Sequence, residues 1–240
     1  MLSFVKFISV ILAGVSLSPD VQMIVNQFEA RYRSAKTLQT TFLERYLENG
    51  RVVRVEAGTA YFRRQGKMRW EYESPENNLF IVDGKTAWFY VPADHTVTRV
   101  PAKESTDLRS PLALLAGEMK VSRVCEKIGL ATDEKPESPE NAVLRCTIRR
   151  ARSDAPKHSA SDDSASTGAS AESVVFEVVK GTGELVRIVV RDPGGVTVEF
   201  HFTKWVTNPQ LNDSFFQFSV PSKVAIVNGE SPVDDMRVRP

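Results

Sequence analysis

The chain has 240 residues, enough for one large β domain or two small ones. Its 31 lysines and arginines nearly cancel its 30 aspartates and glutamates, giving a net charge of +1. No global field therefore draws it to nucleic acid or to an anionic membrane surface, while 42% hydrophobic residues suffice for a sizeable core.

Residues 1–18, MLSFVKFISVILAGVSLS, carry one cation, Lys6, and then an apolar run from Phe7 to Leu17. That is the order of a secretory signal, and the run is too short to span a bilayer. The alternative is a buried N-terminal strand or helix. Leu12–Val15 approaches a lipoprotein-type ending but lacks the acylatable cysteine, so no lipid anchor is expected. The domain proper is then expected over 19–228, with a tail at 229–240.

Ser18-Pro19-Asp20 reads as a helix start, a capping serine followed by proline in the first turn. Val21, Ile24, Val25, Phe28 and Tyr32 follow at helical spacing, and Arg31, Arg33 and Lys36 suit a C-terminal end near Ser34–Lys36.

Beyond the helix the chain alternates with the period of strands. Phe42 and Tyr46 begin one, and Arg51–Ala57 sets Val53 and Val55 against Arg54 and Glu56. Met68, Trp70 and Tyr72 share one face, with Lys67, Arg69 and Glu71 on the other. Asp83-Gly84 predicts a hairpin joining Leu79–Val82 to Thr86–Val91. Leu108–Met119 predicts a short helix after Pro111. Later, Val174, Phe176 and Val178, then Val186, Ile188 and Val190, then Val196, Val198, Phe200 and Phe202 each form one apolar face. Such strands are expected to keep their other face wet. Residues 151–173 are rich in Ser, Ala and Asp without periodicity, which predicts a mobile loop within the domain.

Cys125 and Cys146 are the only cysteines. If their segments pair as a hairpin, the two meet on adjacent strands and can form a disulfide in an oxidising compartment. Two buried free thiols are the other reading.

Catalytic constellations do not emerge. His95, His158 and His201 are isolated, and no nucleophile elbow, phosphate loop or dinucleotide fingerprint occurs. Glu71 and Glu73 share a strand face but read as solvated. We expect no enzyme activity, no metal and no cofactor. One long helix and one short one offer little cover for eight or more half-apolar strands. The sheet is therefore expected to curl, with helices across its opening. Its inner face is either a site for an apolar ligand or a filled core.

From Gly58 to Tyr90 the sequence resembles the LolA family of periplasmic outer-membrane lipoprotein carriers. The likeness rests on Arg64, Met68-Arg69-Trp70, Pro75, Phe80-Ile81-Val82-Asp83-Gly84 and Trp88-Phe89-Tyr90. It extends through Phe42 and Ser110–Gly117 to Asn212, Phe215, Phe218 and Pro221. The resemblance implies a mainly β fold, an incomplete, half-open antiparallel β-barrel of about eleven strands with an α-helical lid over an apolar cavity. It implies acyl-chain contacts from Phe62, Met68, Trp70, Tyr72, Phe80, Trp88, Leu115, Phe176 and Phe200. It also implies a lid latch in which Arg64 bonds carbonyls of Tyr32, Leu115 and Ala116. The partners implied are triacylated lipoproteins, an inner-membrane ABC-type exporter and an outer-membrane receptor, with the carrier monomeric in the periplasm. Two positions depart from the pattern: Gln65 replaces a proline, and Met68 stands where an aromatic residue is common. An envelope-stress regulator or a generic lipid binder of the same fold are the alternatives.

Overall fold

A computed structural model of the protein describes residues 18–102, 112–117, 120–148, 173–191 and 194–228. The expectations for the signal segment, His158, the loop at 151–172, the tail at 229–240 and both ends of the Leu108–Met119 helix fall outside those residues.

The first helix, α1, runs over Pro19–Arg33 with Ser18 at its N-cap and proline in its first turn. All five residues of its apolar stripe are buried, so the 3.6-residue period does place one face inward. A single helical turn, α2 (Ala113–Ala116), lies within the predicted second helix, and a third turn, α3 (Val121–Val124), was not anticipated.

The strands are β1 (Thr37–Glu48), β2 (Arg51–Arg63), β3 (Lys67–Ser74), β4 (Leu79–Asp83), β5 (Thr86–Val91) and β6 (Thr96–Pro101), followed by β7 (Cys125–Leu130), β8 (Asn141–Ile148), β9 (Ser173–Val179), β10 (Leu185–Arg191), β11 (Val196–Thr207) and β12 (Ala225–Asn228). All twelve form one sheet in the order β12-β6-β5-β4-β3-β2-β1-β11-β10-β9-β8-β7. Neighbours run antiparallel except β12, which pairs parallel with β6. Among the described residues β12 and β7 do not pair, so the sheet stays open rather than closing into a barrel. The fold is thus a mainly antiparallel open sheet with short helices over one face.

Register decides which residues face inward. Phe42, Glu44 and Tyr46 of β1 lie opposite Gly58, Glu56 and Arg54 of β2, and directly opposed residues share a face. The inward phase of β2 therefore runs Phe62, Ala60, Gly58, Glu56. Glu56 is only 7% exposed, whereas Val53 and Val55 are 54% and 46% exposed. This corrects the sequence expectation for Arg51–Ala57, which assigned the valines to the apolar face. Phase is a property of the whole strand, and the valines fall on the wrong side of it.

The outer face is not uniformly wet either. Residues 131–140 fold back over β8–β10, where Ala131, Val143, Val175 and Val189 form a second small core. Glu177, with no exposed surface, accepts from the Glu137 amide at 2.6 Å, from Asn141 Nδ2 at 2.8 Å and from Arg187 Nε at 2.8 Å. A buried carboxylate is tolerated there because its lone pairs are filled. At the other end of the sheet, Asn212–Phe218 covers the outside of β3–β5. Phe216 is fully buried, Arg69 Nη1 donates to Phe215 O at 3.1 Å, and Lys67 Nζ pairs with Asp213 at 2.8 Å.

Cys125 of β7 and Cys146 of β8 are joined by a disulfide, their Cα atoms 5.3 Å apart. Both residues belong to the main core.

Candidate functional site

The turn between β2 and β3 carries Arg64, Gln65 and Gly66, the last two with φ of +75°. Proline is locked near −65°, so the proline usual at position 65 could not adopt this turn. The turn brings Arg64 under the C-terminal end of α1, where the last carbonyls have no intrahelical donor. Arg64 Nη2 donates to Tyr32 O at 2.6 Å and to Arg33 O at 2.5 Å, and Nε donates to Ala35 O at 2.9 Å. Nη1 donates to Gly117 O at the end of α2. One guanidinium thereby ties two lid helices to one strand turn, as its planar fork of five donors permits.

The latch geometry differs in part from what the resemblance implied. Tyr32 supplies a carbonyl as expected. On α2 the partner of Arg64 is Gly117, one residue beyond Ala116, while Ala116 O accepts from the Gly66 amide at 3.1 Å. Leu115 enters through its buried side chain. Arg33 and Ala35 were not foreseen, since no side-chain pattern marks a free carbonyl. Burial pushes the Arg64 guanidinium below its ordinary value, and it remains cationic at physiological pH.

Other contacts hold α1 to the sheet. The Leu185 amide donates to the Tyr32 hydroxyl at 2.9 Å, and burial raises that phenol to about 12. Glu29 Oε1 accepts from the Val121 amide at 2.8 Å, and Arg31 pairs with Glu184. Gly183, at φ +66°, closes the β9–β10 turn against the helix. A Cβ there would lie 2.5 Å from the Gln27 carbonyl, so only glycine allows the approach.

Beneath the lid runs a series of rings. Tyr32 lies 5.1 Å from Trp205, Trp205 6.4 Å from Phe62, Phe62 5.7 Å from Trp70, and Trp70 4.8 Å from Phe42. Phe42 reaches Tyr72 at 5.1 Å. Phe28 of the lid meets Phe176 of β9 at 5.9 Å, and Phe200 meets Trp70 at 5.4 Å. The series ends at a polar group: the Tyr72 hydroxyl donates to Glu44 at 2.8 Å, opposite Glu56, whose carboxylate pairs with Arg54 at 3.1 Å.

Of the residues expected to line a cavity, Phe62, Met68, Trp70, Tyr72, Phe80, Leu115, Phe176 and Phe200 share this main core. They are packed against one another, each 5% exposed or less. Trp88 is the exception. Strand pairing sets Phe89 opposite Phe80 on the inner face and Trp88 opposite Ile81 on the outer one. There Trp88 packs on Phe218 at 5.5 Å and donates to Asp83 at 3.3 Å. Of two adjacent aromatics only one can face in, and it is Phe89.

Trp205 was missed for a reason the sequence hides. Val196–Phe202 alternates normally, but Lys204 takes a left-handed φ of +56° and the β1–β11 register slips there. That bulge turns Trp205 toward the lid. Glu44 could have been found, because it lies between Phe42 and Tyr46 in the inward phase. Two depressions flank the lid. One of about 680 Å³ lies beside the latch between Lys36, Arg63, Arg64 and Asp213. Another of about 650 Å³ lies between Met23, Ile24, Leu130 and Val143. Neither is lined by the ring series.

The fold and site define a class: an open β-sheet whose aromatic face is covered by a latched helical lid. Residues 33–134 match the family model described as outer membrane lipoprotein carrier protein LolA. Over those residues the chain is similar to that family. It is 28% identical over 233 residues to an outer-membrane lipoprotein carrier protein of Nitrosomonas europaea, covering 94% of this chain and 98% of that one. It is 38% identical over 114 residues to the corresponding protein of Chromobacterium violaceum, covering 47% and 53% of the two chains. An uncharacterised conserved protein of Thermus thermophilus shares the fold, with a TM-score of 0.50 at 16% identity over 87% of this chain and 98% of that one. Among the described residues no group of three or more His, Cys, Asp or Glu could hold a metal ion, and no helix is long and apolar enough to cross a membrane.

Proposed function

We propose that the protein carries lipoproteins across the periplasm by sheltering their acyl chains between the lid and the aromatic face of the sheet. The observation that carries this reading is Arg64 holding the ends of α1 and α2 over that face through carbonyl bonds alone. Hydrogen bonds to a charged group contribute roughly 1.5–3 kcal/mol each. That is enough to keep an empty carrier closed, and little enough for a ligand to offset. Each methylene withdrawn from water contributes about 0.8 kcal/mol, so a few carbons of one chain match one latch bond.

Met68, Trp70, Phe62, Phe80, Leu115 and Phe176 are the side chains that acyl chains would displace and touch. Residues 1–18 would direct export, and 19–228 would form one monomeric carrier unit. Cargo would arrive from an inner-membrane ABC-type exporter. Delivery to an outer-membrane receptor needs only tighter binding by the receptor, and no covalent step.

The test is what copurifies with the protein from a periplasmic fraction, identified by mass spectrometry. Triacylated lipoprotein is expected. Free lipid alone would make the protein a generic lipid binder, and an empty protein from cells rich in lipoprotein would contradict the proposal.

A further inference from the structure

The protein has three tryptophans. The indole N–H of Trp205 donates to Leu185 O at 2.9 Å, and that of Trp88 to Asp83 Oδ2 at 3.3 Å. The indole N–H of Trp70 has no hydrogen-bond acceptor among the described residues, although Trp70 has no exposed surface. Its ring neighbours are Phe42, Phe62, Phe200 and Phe202, at 4.8, 5.7, 5.4 and 6.4 Å between centroids. An aromatic surround gives a lone water few of the two to four polar partners it needs. A buried donor left unpaired is costly, and tryptophan N–H groups normally find a partner when buried. Phenylalanine in this position would keep an aromatic contact without that cost. The donor therefore points to a function in another state of the molecule.

We infer that the Trp70 indole N–H is a ligand-binding donor that takes the carbonyl oxygen of a long-chain acyl ester or amide. This inference rests on the carrier reading and names what the aromatic face recognises beyond hydrocarbon. Trp70 sits on the central strand β3, within the ring series that an incoming chain must part. Once Phe42 and Phe62 give way, the N–H becomes available at the depth where the chain enters. Hydrocarbon alone satisfies the rings but leaves the donor unpaired. An acyl carbonyl satisfies both, so the site discriminates acyl chains from alkyl chains of equal length.

The experiment compares two probes that differ only in their carbonyls: 1,2-dipalmitoylglycerol and its ether analogue 1,2-dihexadecylglycerol. Binding is measured to the wild-type protein and to Trp70→Phe by displacement of a fluorescent lipid. The wild type is expected to bind the ester about five-fold more tightly than the ether, the size of one net hydrogen bond. Trp70→Phe is expected to bind the two equally. The Trp70 indole proton resonance, assigned by its loss in Trp70→Phe, should move downfield with the ester and not with the ether. Should Trp70→Phe not fold, the wild-type affinity ratio decides the matter together with this resonance, then assigned by elimination as the indole signal that persists in both Trp88→Phe and Trp205→Phe. Equal wild-type affinities with an unmoved resonance would overturn the inference and leave the carrier reading standing. Binding of neither probe would remove both.

Discussion

The Nη2 atom of Arg64 lies 2.6 Å from the carbonyl oxygen of Tyr32, on the last turn of the lid helix. The same Tyr32 places its ring 5.1 Å from Trp205 and its hydroxyl on the Leu185 amide. One residue thus joins the latch, the ring series and the β9–β10 hairpin, so release at Arg64 is felt by the rings beneath.

Removing the fork should loosen the lid without unfolding the sheet. Arg64→Leu is expected to lower stability by about 2–3 kcal/mol in urea. Hydrogen exchange should accelerate in α1 and not in the strand pairs of the core. Because the closed, empty state is weakened, acyl ligands should bind more tightly and leave more slowly. Arg64→Lys should fall between, since one ammonium cannot serve both helix ends in the same geometry.

The turn beside the latch makes a second prediction. Gln65 holds a φ of +75° that proline cannot adopt. Gln65→Pro should destabilise the protein and speed exchange in the lid. Gln65→Gly, which relieves a left-handed side chain, should stabilise it by up to about 1 kcal/mol. Thermal melts of both variants check the signs.

Much of this was legible in the sequence. The stripe from Val21 to Tyr32 and the Met68-Trp70-Tyr72 face come from strict periods, which survive folding because burial on one side enforces them. Reading failed where phase depends on distant partners. Val53 and Val55 look like a core face until the register with Phe42 and Glu44 assigns that role to Glu56. Trp205 turns inward only because Lys204 bulges. The latch carbonyls of Arg33 and Gly117 belong to backbone, which leaves no side-chain signature. Position 65 was readable as a departure, and its meaning became clear only with its dihedral.

The disulfide between Cys125 and Cys146 closes a loop of 21 residues in sequence separation. In the chain-entropy model it contributes about 3 kcal/mol. Cys125→Ser with Cys146→Ser, or reduction of the native protein, should lower the denaturation midpoint accordingly. An unchanged midpoint would mean that β7 is held by packing alone.

Acid should act on the outer face of the sheet, where Glu199 lies between the inward Val198 and Phe200. His201 beside it, and then Arg187, hold the Glu199 carboxyl down to about 2. Arg187 Nη1 lies 2.9 Å away, and His201 Nε2 approaches to 3.3 Å without the angles of a directed bond. A depressed carboxyl stabilises the fold above its unfolded value near 4.5 and loses that contribution as pH falls toward 2. Urea midpoints should drop across that window in the wild type and less steeply in Glu199→Gln. The loss should appear first as exposure of the 131–140 loop, since Arg187 also holds Glu177 there.

The most direct measurement places a photo-crosslinking side chain at Met68, at Leu115 and at Trp88 in cells. Met68 and Leu115 lie in the core beneath the lid, whereas Trp88 faces outward against Phe218. Illumination should give lipoprotein adducts at Met68 and Leu115 and none at Trp88. Adducts absent from both inner positions, or equal at Trp88, would contradict acyl-chain capture under the lid.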